Sequence, residues 1–578
     1  MTSQRRPTIL LLGNNTKFQI LQKLPTDTEI LPILGCAALE MSELAWEGFS
    51  QEENVISDRD LLTHKEKSLK NIEIACDAAQ ISTRQRHLLM QQLDHKLCVF
   101  VYLQLLWHRR NIKSILFNDF HKSISSENEY WENLSKPLIE KLFIESRSAL
   151  TVFKCFASQV LAIISLVTFF CGHSKNVCIA TGLKYGMHSF FKRNKNFDFL
   201  IPSDALSLRE ICHIVFKKTG TNIYVIPRFY YGRSRLKRRI IDLFYGTHAR
   251  LGLSPSALKI LSNTIASALI RDDSFSWFDH MVLKYAKVNQ MVCHQLRWGS
   301  AVSYAHQIKM NNGNVFLVSH GSHGVGKNLS DDLMCAIARF CDGMLFSYFN
   351  THSILQTPNA EKSFNLFNKN NRIIPIRAKP VLWGRNLNHG LESSNNFANF
   401  GELTVLYAGT AKTLNSRPVL YESDVNYLQN LRFFLSIAAE LSITIILRHR
   451  DSWALPLQLI KNEFAETYQF LRFSENISLA DDFRRSSLVV SHSSTVVEEA
   501  LIARRPVMLF GGDTTFEVVE SSDEIEGRST CPWVTKATTD NLSNKLRDLV
   551  DRLKRGGAPE GRNSAEWGGK IDEWRLGV

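Results

Sequence analysis

The stretch that most constrains this chain is Leu488 to Asp513, LVVSHSSTVVEEALIARRPVMLFGGD. Two short apolar runs, Leu488–Val490 and Val507–Phe510, enclose a segment of helical polarity, and turn-forming residues close both runs. Runs so short and continuous suit strands buried on both faces, which belong to parallel sheets covered by helices. The pattern therefore predicts strand, turn, helix and strand, with the turn at Ser491–Thr495 lying at a carboxyl end, where such sheets bind ligands. Thr495 and Glu498 have capping-box spacing, which predicts a helix over 496–503. Its first N–H groups and the Ser493, Ser494 and Thr495 hydroxyls suit a phosphate, although the same residues also serve as plain helix caps.

The pattern recurs along the chain. Pro7 to Gly13 reads as a central parallel strand opening an α/β domain, and 111–119, 176–181, 222–227 and 314–319 read as further strands between helical stretches at 40–110 and 128–171. The runs 403–409 and 443–447 start a second set, with helices expected over 428–441 and 541–555. A chain of 578 residues exceeds one core. The expected division is a first domain over 1–385, an Asn/Ser-rich linker over 386–401 and a second domain over 402–578.

Several strand ends carry chemistry. The run 314–319 leads into His320-Gly321-Ser322-His323-Gly324-Val325-Gly326-Lys327. An imidazole titrates near neutral pH, so His320 is the first choice for a general base, with His323 and Asp342 in reserve. In the second domain Gly409-Thr410 and Arg448-His449 end strands, and Glu499 follows the Ser/Thr turn. Arg228 to Arg239 interleaves aromatic and basic residues, and Arg233, Arg235 and Lys327 are candidates to hold an anionic acceptor. A solvated basic surface accounts for the same patch, which is too short to argue for nucleic acid. The single D-x-D, Asp58-Arg59-Asp60, lies in a polar helical stretch and reads as surface charge, so no metal is implied.

The Ser/Thr turn with its E-A and P-V elements resembles a motif of bacterial surface-polysaccharide transferases with the glycosyltransferase B fold. These include sialyl- and polysialyltransferases, capsular Kdo transferases and CDP-glycerol glycerophosphotransferases. The His320-Gly321 element, the helical run 333–340 and Cys341-Asp342-Gly343-Met344-Leu345-Phe346, taken as a strand, follow the same order. The resemblance implies an α/β protein of two Rossmann-like domains facing a central cleft. It places the donor phosphate at Ser493 and Ser494, the ribose near Glu499, and the base at His449. There those families carry a His-Pro pair; here Arg450 replaces the proline, which puts the identity of the nucleotide in doubt. It implies a nucleotide-activated donor, CMP- or CDP-linked by preference and UDP-linked as the alternative, with no further cofactor required, and a glycan or lipid-linked acceptor. A nucleotide-sugar 2-epimerase of the same fold and a non-catalytic binder of anionic polymer or membrane are the competing readings.

Charge and cysteine bear on location. Residues 401–578 hold 21 Lys/Arg against 25 Asp/Glu, a net of −4, which leaves 48 against 31, or +17, for residues 1–400. The 11 cysteines form no C-x-x-C pair, which suits reduced thiols and a cytoplasmic chain, possible at the inner face of a membrane. The run 155–171 contains Ser158, Gln159, Ser165 and Thr168 and falls short of the roughly 20 apolar residues of a spanning helix. It is expected to be a buried or interfacial helix.

Overall fold

The computed structural model describes residues 7–12, 29–33 and most of 58–555, then 559, 567, 571 and 574–576. Within 58–555 it leaves out 118–119, 143–148, 173–175, 182–186, 217–221, 230–233, 274–276, 298, 320, 322–329, 369–371, 381–402, 410–423, 450–456, 466–467, 476–477, 493, 512–518, 520, 522–523, 526–527 and 530–531. The expected linker, His320, His323, Lys327, Thr410, Ser493 and Arg233 lie outside the described residues.

Four strands form a small sheet: β1 (Pro7–Leu12), β2 (Glu29–Ile33), β3 (Asn111–Phe117) and β4 (Phe120–Ser123), in the order β2-β1-β3-β4. β1 is the central parallel strand expected, flanked by β2 and β3, but it sits in this small sheet and not with the strands that follow. The reason lies in the intervening chain. Helices Asp58–Ala78 and Thr83–Arg109 pack as a hairpin whose buried faces include Leu69, Leu93, Leu97 and Phe100, and this hairpin returns the chain beside β1.

The seven-stranded sheet is the core of the first unit. It comprises β5 (Asn176–Thr181), β6 (Phe197–Pro202), β7 (Ile223–Ile226), β8 (Gln290–Cys293), β9 (Asn314–Val318), β10 (His352–Leu355) and β11 (Ile374–Arg377), ordered β11-β10-β9-β8-β5-β6-β7. Every neighbouring pair is parallel. Successive residues face opposite ways, as the pleat demands. Val177 and Ile179 join the cluster of the helical block, whereas Cys178 and Ala180 join the cluster on the other face with Phe190, Phe191 and Ile211. β6, β8 and β10 were not anticipated: each is a run of four to six residues, too short to stand out beside the long helices. The stretch 341–346, expected as a strand, forms only an isolated bridge between Asp342 and Phe346.

The second unit has one parallel sheet in the order β14-β13-β12-β15-β16-β19. Its strands are β12 (Thr404–Gly409), β13 (Thr444–His449), β14 (Leu471–Phe473), β15 (Leu488–Ser491), β16 (Val507–Leu509) and β19 (Val534–Lys536). A two-stranded hairpin, β17 (Glu524–Ile525) with β18 (Arg528–Ser529), precedes the last. The expected helices run Asp424–Glu440 and Leu542–Lys554. Thus the chain holds the expected pair of Rossmann-like sheets, with the small sheet added.

The units share an apolar cluster. Leu406, Ala408, Val489, Val497 and Leu509 of the second unit belong with Leu333, Ile337, Leu355, Ala360 and Phe364 of the first. The end of the chain also crosses back. Trp574 stacks on Phe190 at 5.4 Å, Leu576 N donates to Asn194 Oδ1 at 3.0 Å, and Trp567 Nε1 donates to Ala378 O at 3.1 Å.

Candidate active site between two carboxyl edges

A doubly wound sheet binds ligands where strand order reverses, because helices leave that point in opposite directions and open a crevice. In the second unit the reversal falls between β12 and β15, which pair from Val405–Leu488 to Tyr407–Val490. Gly409, His449, His492, Ser494 and Thr495 all follow or end strands at this carboxyl edge. Gly409 and His449 are register partners.

Gly409 is glycine for a steric reason. A β-carbon there would come within 2.8 Å of Tyr427 Cε2. The Tyr427 ring is fully buried, and its hydroxyl lies 3.4 Å from His449 Nδ1, with the two rings tilted at 5.6 Å. Tyr427 thus positions His449, a role the sequence reading missed because nothing in YESDVNYL marks that tyrosine. Arg448, the other candidate for the donor at this strand end, is turned elsewhere: its Nη1 lies 2.5 Å from Oδ2 of the buried Asp482, which also accepts from Ser474 Oγ.

The turn before helix Val496–Ile502 departs from the expected capping box. Thr495 has helical φ and ψ and makes no side-chain cap. Ser494 instead receives the first N–H groups, Val496 N on Oγ at 3.3 Å and Val497 N on its carbonyl at 3.0 Å. Glu498 does not reach back because its carboxylate is used across the unit boundary, where Oε1 accepts from Thr357 Oγ1 at 2.7 Å and both side chains are buried. Two of the N–H groups expected for a phosphate are therefore already engaged, while Ser494, Thr495 and Glu499 remain half-buried at the edge.

The opposing edge belongs to the first unit. Gly321, with φ +99°, sits where a β-carbon would meet Thr495 Cγ2 at 3.1 Å and Glu498 Oε2 at 3.2 Å, so the carboxyl end of β9 abuts the start of helix Val496–Ile502. Gln356 fixes this end by donating to Ser319 O at 2.5 Å. The first sheet reverses between β5 and β8, and there His294 Nδ1 lies 3.2 Å from Thr181 O. His294 is a second histidine at the cleft side, passed over because its short strand was not recognised.

Farther along the same edge, Arg228 is wholly buried and pairs with Asp279 at 2.8 Å and, more loosely, with Asp204 at 3.7 Å. Tyr304 OH donates to Asp279 at 2.5 Å and Ser300 Oγ to Asp204 at 2.8 Å. The first residue of the basic and aromatic patch is therefore structural. Arg235 is exposed on helix Ser234–Leu251 and Arg239 caps helix Asp58–Ala78 through Ala79 O at 2.9 Å. Asp342 faces His87, Oδ2 to Nδ1 at 3.3 Å, while His87 Nε2 lies 2.7 Å from Leu296 O. Burial opposes charge on that imidazole, but the Asp342 carboxylate and the Leu296 carbonyl outweigh it and raise its pKa. Asp60 of the D-x-D pairs with Arg109 at 3.3 Å.

Two Rossmann-like units meeting by their carboxyl edges make the glycosyltransferase B arrangement. No family model and no curated protein matches the chain. Solved structures resemble it at low identity. UDP-GlcNAc 2-epimerase from Neisseria meningitidis, bound to UDP-GlcNAc, overlaps with a TM-score of 0.37 at 10% identity, covering 68% of this chain and 96% of that one. The wall teichoic acid polymerase TagF gives 0.34 at 11%, covering 75% and 91%. MurG of Acinetobacter baumannii gives 0.34 at 9%, covering 68% and 97%.

Proposed function

We propose that this chain transfers a sugar or polyol phosphate from a nucleotide-activated donor to a glycan or lipid-linked acceptor of surface-polysaccharide synthesis. The observation that carries the reading is the reversal point between β12 and β15, edged by Gly409, His449, Ser494 and Thr495, set against the carboxyl end of β9 at Gly321. The donor lies on the second unit, with its base or ribose near His449 and its phosphate near Ser494 and Thr495. Transfer leaves negative charge on the departing nucleotide, and the Ser494 and Thr495 hydroxyls, fixed beforehand at the edge, stabilise it without reorganising. The acceptor hydroxyl needs a base from the first unit. His320, the residue before Gly321, is assigned that role.

Thermal-shift and calorimetric titration with CMP, CDP, UDP and GDP tests the donor site. At least one nucleotide should stabilise the protein, and His449→Ala should weaken it by roughly 1–3 kcal/mol, the cost of leaving polar ligand atoms unpaired. His320→Ala should keep that affinity and lose about 10²–10⁴-fold in turnover. Absence of nucleotide binding sinks the proposal. Interconversion of the donor with no acceptor present replaces transfer by epimerisation.

A further inference from the structure

Helix Ala149–Gly172 covers the edge strand β7, and its two faces are built for different surroundings. On the inner face Ala162, Ser165, Leu166 and Phe169 are buried. Ser165 Oγ accepts from Val225 N at 2.9 Å, and Gln159 Oε1 accepts from Arg228 N at 2.8 Å. Two of the polar residues that shorten the apolar run, Gln159 and Ser165, thus serve the sheet edge.

The outer face carries Phe156, Val160, Ile163, Ile164, Val167 and Phe170, all exposed, Phe156 by 67% and Val167 by 58%. Steps of three and four put them on one stripe. The hydroxyls beside it are satisfied by the helix itself, Ser158 on Lys154 O at 2.8 Å and Thr168 on Ile164 O at 2.9 Å. Such back-bonding gives each hydroxyl proton an acceptor that does not depend on water. Lys154 is the one charged residue of the helix sequence, which has no acid. Scattered exposed apolar residues are ordinary, but a continuous stripe of six marks a contact surface.

We propose that this stripe beds into the interfacial layer of an anionic lipid bilayer and holds the first unit against it. Lys154–Gly172 is long and apolar enough to cross a bilayer, but the inner face argues against it, since withdrawing the helix would expose the Val225 N–H and the apolar side chains beneath. A second copy is the weaker occupant, because six partly exposed side chains offer roughly 500 Å² per partner, below the ~800 Å² of a standard interface. The charge of residues 1–400, +17, complements anionic headgroups.

The helix also has a direction. Gln159 meets Ser203 and Arg228, just past the ends of β6 and β7, whereas Phe169 packs on Tyr224 near the start of β7. Its amino end therefore lies at the carboxyl edge of the sheet. Resting on the transferase reading, this would deliver a lipid-linked acceptor from the bilayer beside Phe156 to the first unit's side of the cleft.

The test is flotation of the full chain with vesicles of phosphatidylcholine and phosphatidylglycerol. The wild-type chain should co-float, and Ile163→Gln with Val167→Gln should lower the vesicle-bound fraction about tenfold or more by removing two apolar side chains from the contact. The nearly isosteric Val167→Thr should lower it less, and both variants should keep the wild-type unfolding temperature. A wild-type chain that does not float, or a double variant that floats equally well, overturns the proposal. A dimer that the double substitution dissolves assigns the stripe to a second copy instead. Nucleotide titration without vesicles reports on the transferase reading separately, because these residues lie outside the donor edge.

Discussion

On the carboxyl edge of the seven-stranded sheet the charges hold one another: Arg228 is wholly buried against the buried Asp279 and, more loosely, beside the exposed Asp204, with Tyr304 and Ser300 bonded to the carboxylates. On the six-stranded sheet the corresponding edge is looser. His449 is half-buried beside Tyr427, whose hydroxyl lies 3.4 Å from its Nδ1, and Ser494, Thr495 and Glu499 are half-buried as well. The difference teaches where a ligand can be accommodated. Buried ions tolerate no vacancy, because each depends on its partner for the solvation it has lost. Half-buried groups keep water as an alternative partner and exchange it for a ligand at little cost.

Substitutions can break this comparison. The largest effect is expected from Asp279→Ala, which leaves Arg228 without its close partner and should cost about 3–5 kcal/mol in urea unfolding. A cost below that of His449→Ala would show that these charges do not hold one another. Next comes Gly409→Ala, which drives a methyl into the Tyr427 ring and should cost about 1–3 kcal/mol of stability. Nucleotide affinity should fall with it as His449 is displaced, and unchanged affinity would separate the two residues.

Smaller again is the coupling between the units. A double-mutant cycle on Thr357→Val and Glu498→Met should return a coupling of about 1 kcal/mol in unfolding experiments, as for one buried hydrogen bond. Additive effects would mean that the contact is incidental. The smallest effect is a pH slope. The His87 pKa is raised in the folded chain, so its contribution to stability is full below the unfolded value near 6.5 and is lost as pH rises through the folded value. Asp342→Asn should flatten that slope, which chemical denaturation at stepped pH measures.

Sequence alone revealed what local patterns encode. Leu403 to Leu447 and Leu488 to Phe510 show their strands and helices plainly, because each apolar run is buried on both faces and has an abrupt end. The strand ends at Gly409, His449 and the Ser/Thr turn were legible for that reason. What escaped was set by distant partners. Glu498 looked like a capping residue until Thr357, 141 positions away, claimed its carboxylate. Arg228 looked like part of a basic surface until Asp279 and Asp204 enclosed it. β1 looked like a core strand because its composition is that of one, and only the helical hairpin that follows assigns it to a separate sheet.

The return of Trp574 and Leu576 to the first unit has a mechanical meaning. The polypeptide passes from the first unit to the second and then comes back, so two strands of covalent chain bridge the boundary. Bodies tethered at two points cannot tumble freely; they swing about the line through both tethers. Any motion of one unit against the other would then be a rotation with a defined axis. A fragment beginning near residue 402 would carry Trp574 away from the ring of Phe190, so neither half cut out in that way would be the piece that exists in the whole chain.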